Sequence, residues 1–240
     1  MRRAVILAGG LGTRLRPYTT ILPKPLMPVG DRPILDIVIR QLKRAGFDRV
    51  TIATGYLAEL IEAFFDDGSR YGIPIDYFRE YEPLGTVGAL SLIDGLDEDF
   101  LVMNGDVLTD LDYGALLQRH RSGGQAATIA AHRREVRISL GVLQFDSAVD
   151  QTEVTGYVEK PTLCYDVSMG VYCFAPRARD HIPRGQRLDF PDLVLKLIAV
   201  GETVRAWHSH GEWFDIGSLD DYERAQDDFE RLRPRLVPDA

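Results

Sequence analysis

Residues 4–28 read AVILAGGLGTRLRPYTTILPKPLMP, and the fold is decided at the junction inside that stretch. The apolar run Ala4-Val5-Ile6-Leu7 has the length and branching of a buried strand. Gly9, Gly10 and Gly12 follow at once, so the chain leaves the strand in a turn whose amides can approach an anion with no Cβ in the way. Arg14 and Arg16 come next, and Lys24 sits between Pro23 and Pro25, which stiffen its loop. Glycines, two arginines and a bracketed lysine in so short a segment suit a polyanion. The spacing is neither the G-x-G-x-x-G of dinucleotide sites nor the G-x-x-x-x-G-K-[ST] of P-loops.

Outward from this junction, the first half alternates strand and helix signals. Strands are expected at 5–8, 50–54, 75–78 and 101–103, and helices at 34–45 and 58–65, the first stopped by Gly46. Repeated strand–helix–strand units imply a mostly parallel sheet covered on both faces, a Rossmann-like three-layer α/β/α sandwich. Ligands of such sheets gather at the carboxyl ends of the strands. The second half reads as strands at 126–131, 140–145, 154–159, 169–174, 204–206 and 213–215, giving a mixed sheet whose antiparallel additions form a second pocket wall. Helices are expected at 113–119, 190–200 and 219–229. One domain spans 1–230, and 231–240, with two prolines and no core pattern, reads as a flexible tail.

The chain has 240 residues, 45% of them hydrophobic and 27% charged, the profile of an ordinary globular protein. Its net charge of −8 argues against a nucleic-acid surface. No apolar run approaches the roughly 20 residues that span a bilayer, and the amino terminus reads as a strand, not a signal peptide. With only Cys164 and Cys173, reduced thiols and a cytoplasmic location are expected. Monomer and homodimer both stay open.

The segment from Gly9 to Pro28 resembles the signature of the sugar-nucleotide pyrophosphorylases, G-G-x-G-T-R-L-x-P-x-T followed by P-K-P-L-x-P. Further pieces are similar to that family in its order: Gly85-Thr86-Val87-Gly88-Ala89, Asn104-Gly105-Asp106, Glu159-Lys160-Pro161 and Trp213-Phe214-Asp215-Ile216-Gly217. The resemblance covers roughly residues 3 to 226. Longer members add a carboxy-terminal β-helix domain, which a chain of this length is not expected to hold. The resemblance implies a nucleotidyltransferase that joins an NTP to a sugar 1-phosphate and releases pyrophosphate. The nucleophile is already an anion, so catalysis reduces to positioning and charge neutralisation, with Mg²⁺ as the suited cofactor.

The roles that follow are those of the matching family residues. Arg14, Lys24 and Asp106 carry catalysis. Leu7, Ala8, Gly9, Gly10, Gly12, Thr13, Gly85 and Thr86 bind the nucleotide. Glu159 and Lys160 hold the sugar phosphate, and Gly141 and Gly170, read from their places beside or within strands where a glycine marks close approach by a ligand, join them. Asp106 and Asp215 hold the metal. On turn statistics alone Asp106 is equally a capping carboxylate, whereas Asp215 lies among apolar residues where an unpaired charge is costly. Arg16 ranks below Arg14. Asp110 and Asp112 read as loop and helix-cap residues, and Asp192 as a first-turn carboxylate. Ser168-Met169-Gly170 stands where the family often has Asn-x-Gly, so the sugar transfers poorly.

The base is read from Glu82-Pro83-Leu84-Gly85-Thr86, similar to guanylyltransferases of the mannose 1-phosphate and heptose 1-phosphate kind. A carboxylate on Glu82, or on Glu80, can accept from both guanine N1–H and its amino group, which favours GTP. Alternatives are a uridylyl-, thymidylyl- or cytidylyltransferase acting on another sugar or a cyclitol phosphate, or an inactive sugar-nucleotide-binding regulatory subunit. The last usually lacks the metal carboxylates or loop cations, all of which are present here.

Overall fold

The computed structural model describes residues 1–146 and 150–237. Its elements run β1 (Arg3–Ala8), β2 (Pro28–Val29), β3 (Arg32–Pro33), α1 (Ile34–Arg44), β4 (Arg49–Thr54), α2 (Ala58–Phe65), β5 (Ile75–Arg79), β6 (Phe100–Asn104), β7 (Val107–Thr109) and α3 (Tyr113–Gly123). They continue with β8 (Ala127–Arg137), β9 (Val142–Asp146), β10 (Asp150–Val158), β11 (Thr162–Phe174), α4 (Phe190–Ala199), β12 (Val204–Ser209), β13 (Trp213–Asp215) and α5 (Leu219–Leu236).

Seven strands form the central sheet in the order β12-β8-β11-β6-β1-β4-β5. The pairs β1–β4, β1–β6, β4–β5 and β8–β12 are parallel, and β11 is antiparallel to both its neighbours. Only β11 therefore runs against the other six. The antiparallel additions expected from the second half reduce to that strand, the separate β9–β10 hairpin and the short β7–β13 pair.

Period-two alternation sorts each strand between two cores. Ala4, Ile6 and Ala8 of β1, with Leu101 and Met103 of β6, face α1, α2, α3 and α5. Val5, Phe100 and Val102 face α4 and the single-turn segments 88–91 and 176–181. Helices on both faces make the three-layer sandwich. Because helices cover both faces of the parallel part of the sheet, the carboxyl ends of its strands are where a ligand is expected to gather.

One expectation fails at the carboxyl end. Helix α5 does not stop at 229 but runs to Leu236, with Leu232, Leu236 and Val237 buried. Pro234 lies inside it, and apolar residues at helical spacing dock the last turns onto the core despite the lost amide. Residues 231–237 are thus no tail; 238–240 lie outside the described residues. Strands β8 and β11 are also far longer than read, because Arg133–Arg137 and Thr162–Val167 pair beyond the apolar segment. Cys164 is exposed and Cys173 buried, both free thiols. Among the described residues no helix is long and apolar enough to cross a membrane.

Candidate active site

The carboxyl ends of the four parallel strands β1, β4, β5 and β6 converge on a cleft of about 650 Å³. Each strand delivers its next residues there: Gly9 and Gly10, Gly55 and Tyr56, Glu80 and Tyr81, Gly105 and Asp106. Close packing of these ends requires glycine. A Cβ on Gly55 would stand 2.8 Å from the Gly9 carbonyl oxygen. Gly12 has φ +60°, and its carbonyl accepts from Thr19 Oγ1 at 2.8 Å and Leu15 N at 2.9 Å. That knots the glycine turn against the segment leading to Lys24.

Of the sequence-read residues, Leu7, Ala8, Gly9, Gly10, Gly12, Thr13, Arg14, Lys24, Gly85, Thr86 and Asp106 all line the cleft. Lys24 is held in a single turn, Lys24–Leu26, with its side chain only 10% exposed, and its ammonium pairs with Asp106 Oδ2. The other carboxylate oxygen, Asp106 Oδ1, is buried with no hydrogen-bond partner among the described residues. Asp215 is brought alongside by the β7–β13 pair, where it opposes Val107, and Ile216 N donates to the Asp106 carbonyl at 3.1 Å. Asp215 is exposed to solvent, yet the protein packed around its carboxyl first, and repulsion from Asp106 second, raise it above its ordinary range; Lys24 and Arg14 oppose the shift. The Arg14 guanidinium lies over Gly217, where an added Cβ would stand 3.4 Å from Nη1. Two cations and two carboxylates, separated by up to about 200 residues in sequence, thus share one corner.

Of the two glutamates read for the base, Glu80 lines the cleft and Glu82 does not. Glu80 directly follows β5, where its N–H donates to Thr54 O at 2.8 Å, and it lines the cleft. It accepts from Leu84 N at 3.1 Å and lies so close to Gly9 that a Cβ there would stand 3.2 Å from Oε1. Burial raises its pKa, opposed by the Leu84 bond. Glu82 is exposed and absent from the cleft wall, because two further residues carry the chain past the strand end into solvent.

The residues read for the sugar phosphate are not brought to this cleft. Glu159 accepts from Tyr157 O–H at 3.0 Å and faces Lys160 at 3.7 Å, both side chains more than half exposed. Gly141 packs on the Tyr157 ring, which leaves no room for a Cβ. These three belong to the β9–β10 hairpin and its flanks, and the cleft wall contains none of them. Gly170, with φ +74°, backs the wall instead, since a Cβ would meet Asn104 Nδ2 at 2.8 Å. Asp112 caps α3 by accepting from Ala115 N, and Asp192 lies in the first turn of α4, as read. Asp110 accepts from Glu212 N at 2.8 Å and pairs with Arg235, a structural clamp for α5. Tyr56 and Asp189 line the cleft without any local signal in the sequence, and Asn104, quoted only as part of a motif, lines it too.

A glycine turn, flanking cations and neighbouring carboxylates at the carboxyl ends of parallel strands define an α/β protein with a cleft suited to an anionic ligand. Residues 3–231 match the model of the nucleotidyl transferase family, and the chain belongs to that family. It is 36% identical to the UTP–glucose-1-phosphate uridylyltransferase of Synechocystis sp., over 93% of this chain and 62% of that one. It is 33% identical to the mannose-1-phosphate guanylyltransferase of Mycobacterium tuberculosis, over 95% of this chain and 64% of the relative. The chain thus spans a little over three fifths of the length of these relatives. The solved structure of HddC from Yersinia pseudotuberculosis superposes with a TM-score of 0.72 at 27% identity, covering 95% of this chain and all of that one. HddC has also been solved in complex with GMP-PN.

Proposed function

We propose that the protein transfers a nucleotidyl group from an NTP, with GTP preferred, to a sugar 1-phosphate, and that it does so with Mg²⁺. The observation that carries this reading is Asp106, which lines a glycine-rich cleft, pairs with the Lys24 ammonium and repels the neighbouring Asp215 carboxylate. A phosphate oxygen of the sugar 1-phosphate forms a bond to the α-phosphorus, the bond from that phosphorus to the β-phosphate bridge breaks, and pyrophosphate leaves. The attacking oxygen is already ionised, so no side chain need remove a proton. The Gly9–Gly12 amides and the Arg14 guanidinium suit the triphosphate, and Lys24 suits the phosphate under attack.

Asp106 and Asp215 fit a hard divalent cation. One buried carboxylate oxygen lacks a partner among the described residues, and the neighbouring carboxyl is under electrostatic pressure that a cation would relieve. Mg²⁺ bound there supplies positive charge to phosphate oxygens. Glu80 supports the guanine preference, since its carboxylate borders the cleft with one protein donor only among the described residues. The identity to a uridylyltransferase supports a second reading, in which UTP is the donor. This function belongs in the cytosol, where NTPs and free thiols coexist.

The test is a matrix of four NTPs against sugar 1-phosphates, with and without Mg²⁺, assayed for pyrophosphate. GTP with a hexose or heptose 1-phosphate is expected to give the largest kcat/KM, and chelation to abolish it. Faster turnover of UTP, dTTP or CTP removes the guanine assignment. No pyrophosphate from any pair removes nucleotidyl transfer.

A further inference from the structure

The turn Gly85–Thr86 is flanked by local bonds, from Leu84 N to Glu80 and from Leu90 N to Val87 O, but its own groups are held from elsewhere in the chain. Residues 84–87 are bonded to a segment just over one hundred positions later. Leu188 N donates to Leu84 O at 3.0 Å, and Val87 N donates to Leu188 O at 3.1 Å. Thr86 N then donates to Asp189 Oδ1 at 3.1 Å, and Phe190 N donates to Thr86 Oγ1 at 2.6 Å. Gly85 has φ +75°, and a Cβ on it would lie 2.6 Å from Leu188 O and 2.7 Å from Asp189 Oδ1.

The exchange between Thr86 and the start of α4 is reciprocal. Asp189 is the N-cap residue of α4, yet its carboxylate makes no capping bond to its own helix. The first helical amide, that of Phe190, is satisfied by Thr86 instead, and the Asp189 oxygen is spent on the Thr86 amide. An aspartate at an N-cap ordinarily bonds the second or third amide of its helix. Here it serves a cleft-lining turn. The anchor is rigid: the Phe190 ring stacks on Tyr172 at 3.7 Å between centroids, and Pro191 fixes the first helical turn.

We propose that Asp189 is a positioning residue, whose carboxylate orients the Thr86 amide and so sets the Gly85–Thr86 turn for the incoming NTP. The assignment to NTP rests on the nucleotidyl-transfer reading; the orientation of the turn does not. The nearest charge, the Arg187 guanidinium 3.4 Å from Oδ2, is exposed and leaves Oδ1 to Thr86.

Two measurements separate these claims. Amide hydrogen exchange of the free, full-length protein reads the turn directly. Asp189→Ala is expected to speed exchange at Thr86 about tenfold, the scale of one lost hydrogen bond, while Asp189→Asn, which keeps an acceptor oxygen, stays within about threefold of the unmodified protein. Steady-state kinetics, with the NTP the unmodified protein uses best, should show NTP KM about tenfold higher in Asp189→Ala, sugar 1-phosphate KM within about twofold, and rescue by Asn. Unchanged Thr86 exchange in Asp189→Ala overturns the proposal. So does an equal rise in both KM values, or an Asn variant as impaired as Ala, which would mean that the charge itself meets a ligand. If Asp189→Ala lacks a cooperative thermal transition, Asp189→Ser takes its place, since serine can cap α4 but withdraws the oxygen from Thr86. Absence of turnover by the unmodified protein defeats the functional reading and leaves the exchange result to decide the turn.

Discussion

Asp106→Asn tests the corner of the cleft most sharply, because stability and turnover should fall together for a calculable reason. The Lys24 side chain is 10% exposed and that of Asp106 25% exposed, so the substitution strands an ammonium in a largely dry site. Removing one partner of a fully buried pair costs about 3–5 kcal/mol. Here Asp106 is partly wet, and Asp215 still offers negative charge to Lys24, so about 2 kcal/mol is the expected loss. For a chain of this size that lowers Tm by roughly 4–8 °C. Differential scanning calorimetry at pH 7 reads it, and pyrophosphate release should fall by orders of magnitude. Adding Lys24→Met to Asp106→Asn removes the stranded charge, and should restore most of the Tm while leaving the protein inactive. A Tm within a degree of the unmodified protein in Asp106→Asn, or no recovery in the double variant, refutes the buried-pair argument.

Asp215→Asn should have the opposite effect on stability. A carboxyl whose folded pKa is raised destabilises the fold above that pKa and not below the unfolded value, near 3.8. Asp215 is exposed and solvent screens it, so the variant should show a small gain in Tm at pH 8 that vanishes as pH falls toward 4, and lose turnover throughout; a lower Tm at pH 8 counts against the raised carboxyl. Glu80→Gln should shrink the preference for GTP over UTP by about tenfold or more, whereas Glu82→Gln leaves it unaltered; comparable shifts in kcat/KM ratios from both would reject the choice of Glu80. Arg14→Ala should raise the KM for NTP far more than that for the sugar 1-phosphate, and equal losses would signal a defect in folding instead.

The sequence alone determined whatever depends on neighbours along the chain. The apolar run before Gly9, the bracketed Lys24 and the alternation of strand and helix gave the sheet, its two covered faces and the place where ligands collect, because strand and helix periods are local properties. Asp112 as a cap followed from the same local chemistry. Tertiary structure decided what depends on pairing. The bond from Glu80 N to Thr54 O locates where β5 ends, and with it which of two glutamates reaches the cleft. Docking of Leu232 and Leu236 turned an expected tail into helix, since burial outweighs a weak local propensity. The union of Asp106 with Asp215, and of Thr86 with Asp189, spans more than one hundred residues of chain. No local pattern encodes such contacts, because they exist only once the sheet has closed and its strand ends stand side by side.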